Sequence, residues 1–225
     1  MKVDANFRRR AAVGENVQQL NSNVVSKLSK IDGLFSNNDA ESRAAFDPGD
    51  GESAATNLSM CFRSGIRGSI VYRSRIPGMV ADKGTSDDFI ALELDLEEVD
   101  YFWFATQVFP EIVKIFGAYR SSIVTDLDRE IDDFDEIVKL SRSTGLDLMG
   151  RDGIFRIDPV NYFDDILCMR AFGIGSREVA ARLAGQVDIV EEIGSGVFFV
   201  VGSTPVSGDE SICLDKRIKK ILAGQ

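Results

Sequence analysis

The segment Phe89 to Leu96 constrains the fold more than any other stretch of the chain. Leu92, Leu94 and Leu96 alternate with Glu93 and Asp95, and a period of two gives a strand one dry and one wet face. A half-wetted strand belongs in an antiparallel sheet, because parallel sheets are covered on both faces and read as unbroken apolar runs. A second signal agrees with the first. Val187 to Ile193 and Val197 to Val201 flank Gly194-Ser195-Gly196, which reads as a hairpin. Residues 59–75, with Ile66, Ile70, Val71 and Tyr72, add strand character before a turn at Pro77-Gly78, and Tyr119 to Val124 adds more.

Helical periods lie between these strands. Val17, Leu20, Val24, Leu28 and Ile31 recur at three and four over residues 16–32, with Gly33 as the stop. Val99, Phe102, Trp103, Thr106, Phe109, Val113 and Phe116 form a bulkier stripe, in which Pro110 either kinks the helix or opens a second one. Phe155-Arg156-Ile157 reads as a short strand, and Asp158-Pro159 as the cap and first residue of a helix reaching Phe172. Short helices follow from Ser176 and over Ile212 to Leu222. The polar stretch Ser36 to Asn57, with its Asp47-Pro48-Gly49-Asp50-Gly51 turn, reads as a long exposed loop. Helices and strands mix without strict βαβ alternation. The expected class is α+β, a mainly antiparallel sheet packed with helices, in one domain over residues 1–225. If the chain holds two similar subdomains, their boundary falls near residue 150.

Charge narrows the function. The 225 residues carry 36 acidic and 26 basic side chains, a formal net charge of −10, and no histidine. The commonest catalytic base and metal ligand is absent. An acidic surface repels nucleic acid and anionic lipid and attracts basic partners. Cys61, Cys168 and Cys213 form no paired motif, which fits reduced thiols in the cytoplasm. The start lacks an apolar signal core, and no run of about 18 apolar residues exists to span a membrane.

The candidate sites follow from that charge. Asp126, Asp128, Glu130, Asp132, Asp133, Asp135 and Glu136 form the densest acidic run. It fails the calcium-loop pattern, with Ile131 at position six and Ile137 at position twelve. Leu127, Ile131, Phe134 and Val138 instead form a helical stripe, which puts the acids on the solvated side of an amphipathic helix. Asp126, Asp128, Asp132, Asp133, Asp135 and Glu136 are therefore partner-binding candidates, with Glu93 and Asp95 second. Tyr101 and Phe104 fall off the aromatic core stripe, so they form a second packed face or an exposed contact patch. Arg63, Arg67, Arg73 and Arg75 could clamp an anion, or pair with acids on a neighbouring strand. No P-loop, nucleophile elbow or dinucleotide fingerprint occurs. No catalytic residue, metal set or cofactor is expected.

One resemblance adds to this. Phe7-Arg8-Arg9-Arg10, a helix through Leu28, and then Ile31-Asp32-Gly33-Leu34-Phe35 together resemble bacterial immunity proteins of polymorphic toxin systems, the immunity protein 52 type. That resemblance implies a non-catalytic protein that binds and blocks a cognate toxin. Acidic residues would then mimic an anionic substrate or pair with a basic rim around the toxin's active site. Two other classes stay open: a carboxylate-based, metal-dependent hydrolase, and a structural or assembly subunit.

Overall fold

The computed structural model describes residues 1–36, 43–49, 53–81, 83–148 and 150–225. The fold is α+β, and the chain divides into two compact units, Met1–Ala118 and Tyr119–Gln225. The sequence reading places any such division near residue 150.

In the first unit, five strands pair antiparallel in the order β2 (Ala45–Asp47), β3 (Ser53–Asn57), β4 (Ile66–Arg73), β5 (Asp87–Asp95) and β1 (Lys2–Arg10). The alternation that marked β5 is real. Ile90, Leu92 and Leu94 are buried, while Phe89, Ala91, Glu93 and Asp95 are partly wet. Leu94 lies opposite Val3 on one side and Ile66 on the other. Gly68, in β4, has no room for a side chain, since a Cβ there would sit 2.3 Å from the Ala91 carbonyl oxygen. α1 (Val17–Leu28) starts at Asn16, whose side chain accepts from the Gln19 N–H. Its buried Asn21 ties it to the sheet, accepting from Thr56 Oγ1 at 2.6 Å and Tyr72 OH at 3.3 Å.

Three elements here differ from expectation. β1 is a full edge-to-edge partner of β5, with Val3, Ala5 and Phe7 completely buried. β2 and β3 fall inside the expected long loop. Ala54 and Thr56 are buried, so β3 meets the core with small side chains that carry no strong apolar signal, and β2 is only three residues long. Residues 37–42 and 50–52 of that loop lie outside the described residues.

The aromatic helix begins at α2 (Tyr101–Trp103), capped by Asp100, whose side chain accepts from the Trp103 N–H. A π turn follows at Phe104–Val108, and then α3 (Phe109–Phe116). The Phe109 N–H reaches the Phe104 carbonyl, five residues back. Pro110 lacks the N–H that would extend regular pairing, and a widened turn immediately before it absorbs the gap. α3 packs on α1 and β1, with Phe109 and Phe7 ring centroids 4.9 Å apart. It ends at Gly117, whose φ of 67° is left-handed.

In the second unit, four strands pair antiparallel in the order β6 (Arg120–Val124), β7 (Val160–Asp164), β9 (Gly196–Val200) and β8 (Ile189–Ile193). The β8–β9 hairpin forms where the glycine turn implied. β7 corrects the sequence reading: residues 160–164 are a strand buried at every position, not the start of a helix. α5 (Asp165–Phe172) starts after it, and its true cap is Asp164, whose Oδ1 accepts from the Leu167 N–H at 2.8 Å. A strand buried on both faces shows no alternation, and Asp158-Pro159 imitates a helix start. Residues 155–157 are irregular. Phe163 and Phe199 pack 5.7 Å apart, centroid to centroid, against α5, α6 (Ser176–Leu183) and α7 (Gly208–Leu222). The remaining helix is α4 (Leu127–Thr144). Among the described residues, no helix is long and apolar enough to cross a membrane.

Candidate functional site

α4 carries most of the acidic candidates, and the structure sorts them into two groups. Asp126 is its N-cap. One carboxylate oxygen accepts from the Arg129 N–H at 3.2 Å, and the other from the Gly208 N–H at 2.8 Å, at the start of α7. Its charge is committed to holding two helix ends. Asp133, with Glu130, turns toward the body of the unit. Buried Arg156 meets Asp158 at 2.9 Å, Asp133 at 3.4 Å and Glu130 at 3.8 Å. Arg129 meets Asp215 at 3.0 Å and Asp133 at 3.5 Å. Asp215 also accepts from the Ile157 N–H at 2.9 Å and pairs with Lys219 at 3.0 Å. Burial works against the charge of Arg156, but Asp158, Glu130 and Asp133 outweigh it and hold the guanidinium above its ordinary range.

The stripe Leu127, Ile131, Phe134 and Val138 does not face the core. Ile131 is 72 % exposed and Phe134 57 %, Leu127 and Val138 are half-buried, and Ile137 alone in α4 is buried. The helix is rotated away from its apolar face, and the charges explain why. Leaving one buried charge without its partner costs about 3–5 kcal/mol, whereas exposing one Ile or Phe forfeits about 1.5–3 kcal/mol. Burying Ile137 recovers part of the second loss. Asp128, Asp132, Asp135 and Glu136 stay exposed beside the stripe. Four of the six acidic candidates on α4 are thus free surface charges, and the other two are structural.

Glu93 and Asp95 lie in the first unit, on the wet face of its sheet. Glu93 accepts from Lys2 Nζ at 2.8 Å and sits opposite Arg67 and Asp4. Burial and then the Glu93 charge lift the Asp4 carboxyl above its ordinary range. Asp95 accepts from the Glu97 N–H at 3.1 Å. This row mixes signs and is not a uniform acidic patch.

The aromatic candidates are corrected. Tyr101 and Phe104 are buried, and the exposed ring is Phe102, at 47 %. They form the second packed face of the two alternatives. The four arginines do not converge. Arg63 stacks over Trp103 at 5.5 Å and Arg73 over Phe89 at 5.6 Å, while Arg67 faces Glu93. Half-buried Arg75 meets the buried Asp88 at 2.5 Å, with Arg9 2.8 Å from the same carboxylate. Glu15 closes that set, paired with Arg9 and Arg75. Burial alone would raise the Glu15 carboxyl, but hydrogen bonds from Arg9 and the Ala12 N–H and the charges of both arginines hold it below its ordinary value. Neither this network nor the one around Arg156 was visible in the sequence. Short pairs such as Arg129–Asp133 and Asp215–Lys219 follow helical spacing, but the contacts that join them, Arg129 to Asp215, Arg156 to Asp133 and Arg75 to Glu15, span long stretches of chain.

The chemistry available is limited. Cys168 is buried, and burial with Asp164 and Asp165 nearby pushes its thiol up to about 12. Burial raises Cys61 as well. Neither thiol is a ready nucleophile. Among the described residues, no group of three or more Cys, Asp or Glu side chains is placed to hold a metal ion.

Comparison with known proteins places the fold. The α+β fold is shared, along almost the whole length of the chain, with a solved structure. That likeness is to a solved structure of the Pseudomonas aeruginosa T6SS protein PA0821, with a TM-score of 0.55 over 98 % of this chain and 72 % of that one, at 12 % sequence identity. No family model matches the chain, and no curated protein matches its sequence.

Proposed function

We propose that this protein is a non-catalytic binding protein of the immunity type, which neutralises a cognate bacterial toxin by occluding its active site. The observation that carries this reading is the outer face of α4. Asp128, Asp132, Asp135 and Glu136 are exposed on a helix whose inner side is pinned by buried ion pairs. Charges held on a rigid element are pre-oriented, so a basic toxin rim pairs with them at little ordering cost. The net charge of −10 and the absence of histidine favour steering and docking over acid–base chemistry. The T6SS setting of the protein that shares the fold supports the same toxin-related context. The working place in this reading is the cytoplasm, where three unpaired thiols persist.

The test is growth rescue. The chain is co-expressed with each reading frame that neighbours its gene; one of them should be toxic alone and be rescued by the chain. Reversing Asp128, Asp132 and Asp135 to lysine should slow association and flatten its salt dependence. Unchanged affinity and salt slope after that triple reversal would sink the assignment of this face.

A further inference from the structure

The stripe on α4 has a feature that a uniformly basic partner does not match. Leu127, Ile131, Phe134 and Val138 follow a four-three-four spacing, the seam of a helix that packs lengthwise on another helix. One flank of that seam carries Asp128, Asp132 and Asp135 in its first half, and Lys139 and Arg142 in its second, all exposed. A basic surface would suit the first half and repel the second. A copy of the same helix running the opposite way suits both.

We propose that α4 is a self-pairing face, on which a second copy of this chain docks its own α4 antiparallel across a two-fold axis near Asp135. Ile131 of each copy then packs against Val138 of the other, and the two Phe134 rings meet at the centre. In antiparallel packing a flank faces its own reversed copy. Asp128 of one chain therefore comes opposite Arg142 of the second, and Asp132 opposite Lys139, each twice by symmetry. Asp135 meets its counterpart on the axis and is the one unfavourable pair. In parallel pairing this flank would face the opposite flank of the second helix, where Asp128 and Asp132 meet Glu130 and Asp133 and Lys139 and Arg142 find no acid, so charge favours the antiparallel arrangement. Two chains of net charge −10 repel at long range, but that repulsion is screened beyond about 8 Å at physiological salt. One helix per copy is a small interface, so the dimer belongs to the micromolar range.

Self-pairing stands on α4 alone. Competition between it and a toxin rests on the function proposed above, since both would use one face.

Sedimentation equilibrium of the purified full chain, with no partner present, tests it. The mass should rise from 24.7 kDa toward twice that value as concentration rises through the micromolar range. Phe134→Asp should stay at 24.7 kDa, with unchanged circular dichroism and melting, because that side chain is exposed. Asp128→Arg and Arg142→Asp should each weaken the dimer about tenfold, and the double exchange should restore it. A mass of 24.7 kDa at every concentration overturns the proposal. So does a dimer that survives Phe134→Asp, or charge reversals that the double exchange does not rescue. Growth rescue is read separately, so either idea can fail alone.

Discussion

α3 and α4 both carry an apolar stripe at helical spacing, and the structure treats them in opposite ways. α3 buries Phe109, Ile112, Val113 and Phe116 against its unit's core. α4 leaves Ile131 and Phe134 outside and turns Glu130, Asp133 and Ile137 inward. The difference lies in what each helix packs on. α3 meets Phe7 and α1, an apolar surface. α4 meets Arg156 and Asp215, buried charges that must find partners. Periodicity shows that a helix has two faces, and the neighbouring element decides which one is used.

Four substitutions probe that contrast by urea denaturation, from the largest expected effect to the smallest. Phe109→Ala should lower the stability of the folded chain by about 3–5 kcal/mol, through lost burial and the cavity left behind. Arg156→Ala should cost about 3 kcal/mol, because Asp158 stays buried without its cation. A loss below about 1 kcal/mol there would mean that charge does not orient α4. Asp126→Ala should cost about 1 kcal/mol, the worth of one N-cap that also holds the first turn of α7. Phe134→Ala should change the stability of the monomer by less than about 0.5 kcal/mol. A larger loss would show that the stripe is packed in solution, and the contrast with α3 would vanish.

The same contrast explains how much could be read in advance. β5, the β8–β9 hairpin and the span of α4 rest on local patterns of period two, a glycine turn and period 3.6, so they were legible. The orientation of α4 depends on Arg156 and Asp215, far away along the chain, so it was not. β3 escaped because Ala54 and Thr56 fill core positions with small side chains, which weakens the apolar alternation, whereas β1 carries a period-two signal, Val3, Ala5 and Phe7 against Asp4, Asn6 and Arg8, that was there to be read. β7 escaped for the reverse reason, since all five of its residues are buried and nothing alternates. At the candidate site, the acidic face was visible as composition. Which acids are free, Asp128, Asp132, Asp135 and Glu136, became clear only once the backbone hydrogen bonds of Asp126 and the ion pairs of Asp133 were seen.

The burial of two of the three thiols makes the chain its own reporter. Cys213, on the outside of α7, is the exposed sulfur, while Cys61 and Cys168 are shut inside different units. A maleimide dye added to the native protein should attach at Cys213 alone. Its attachment at Cys61 or Cys168 then marks the opening of the first or second unit, so mass spectrometry of the labelled peptides can time each unit's breathing without a single engineered residue.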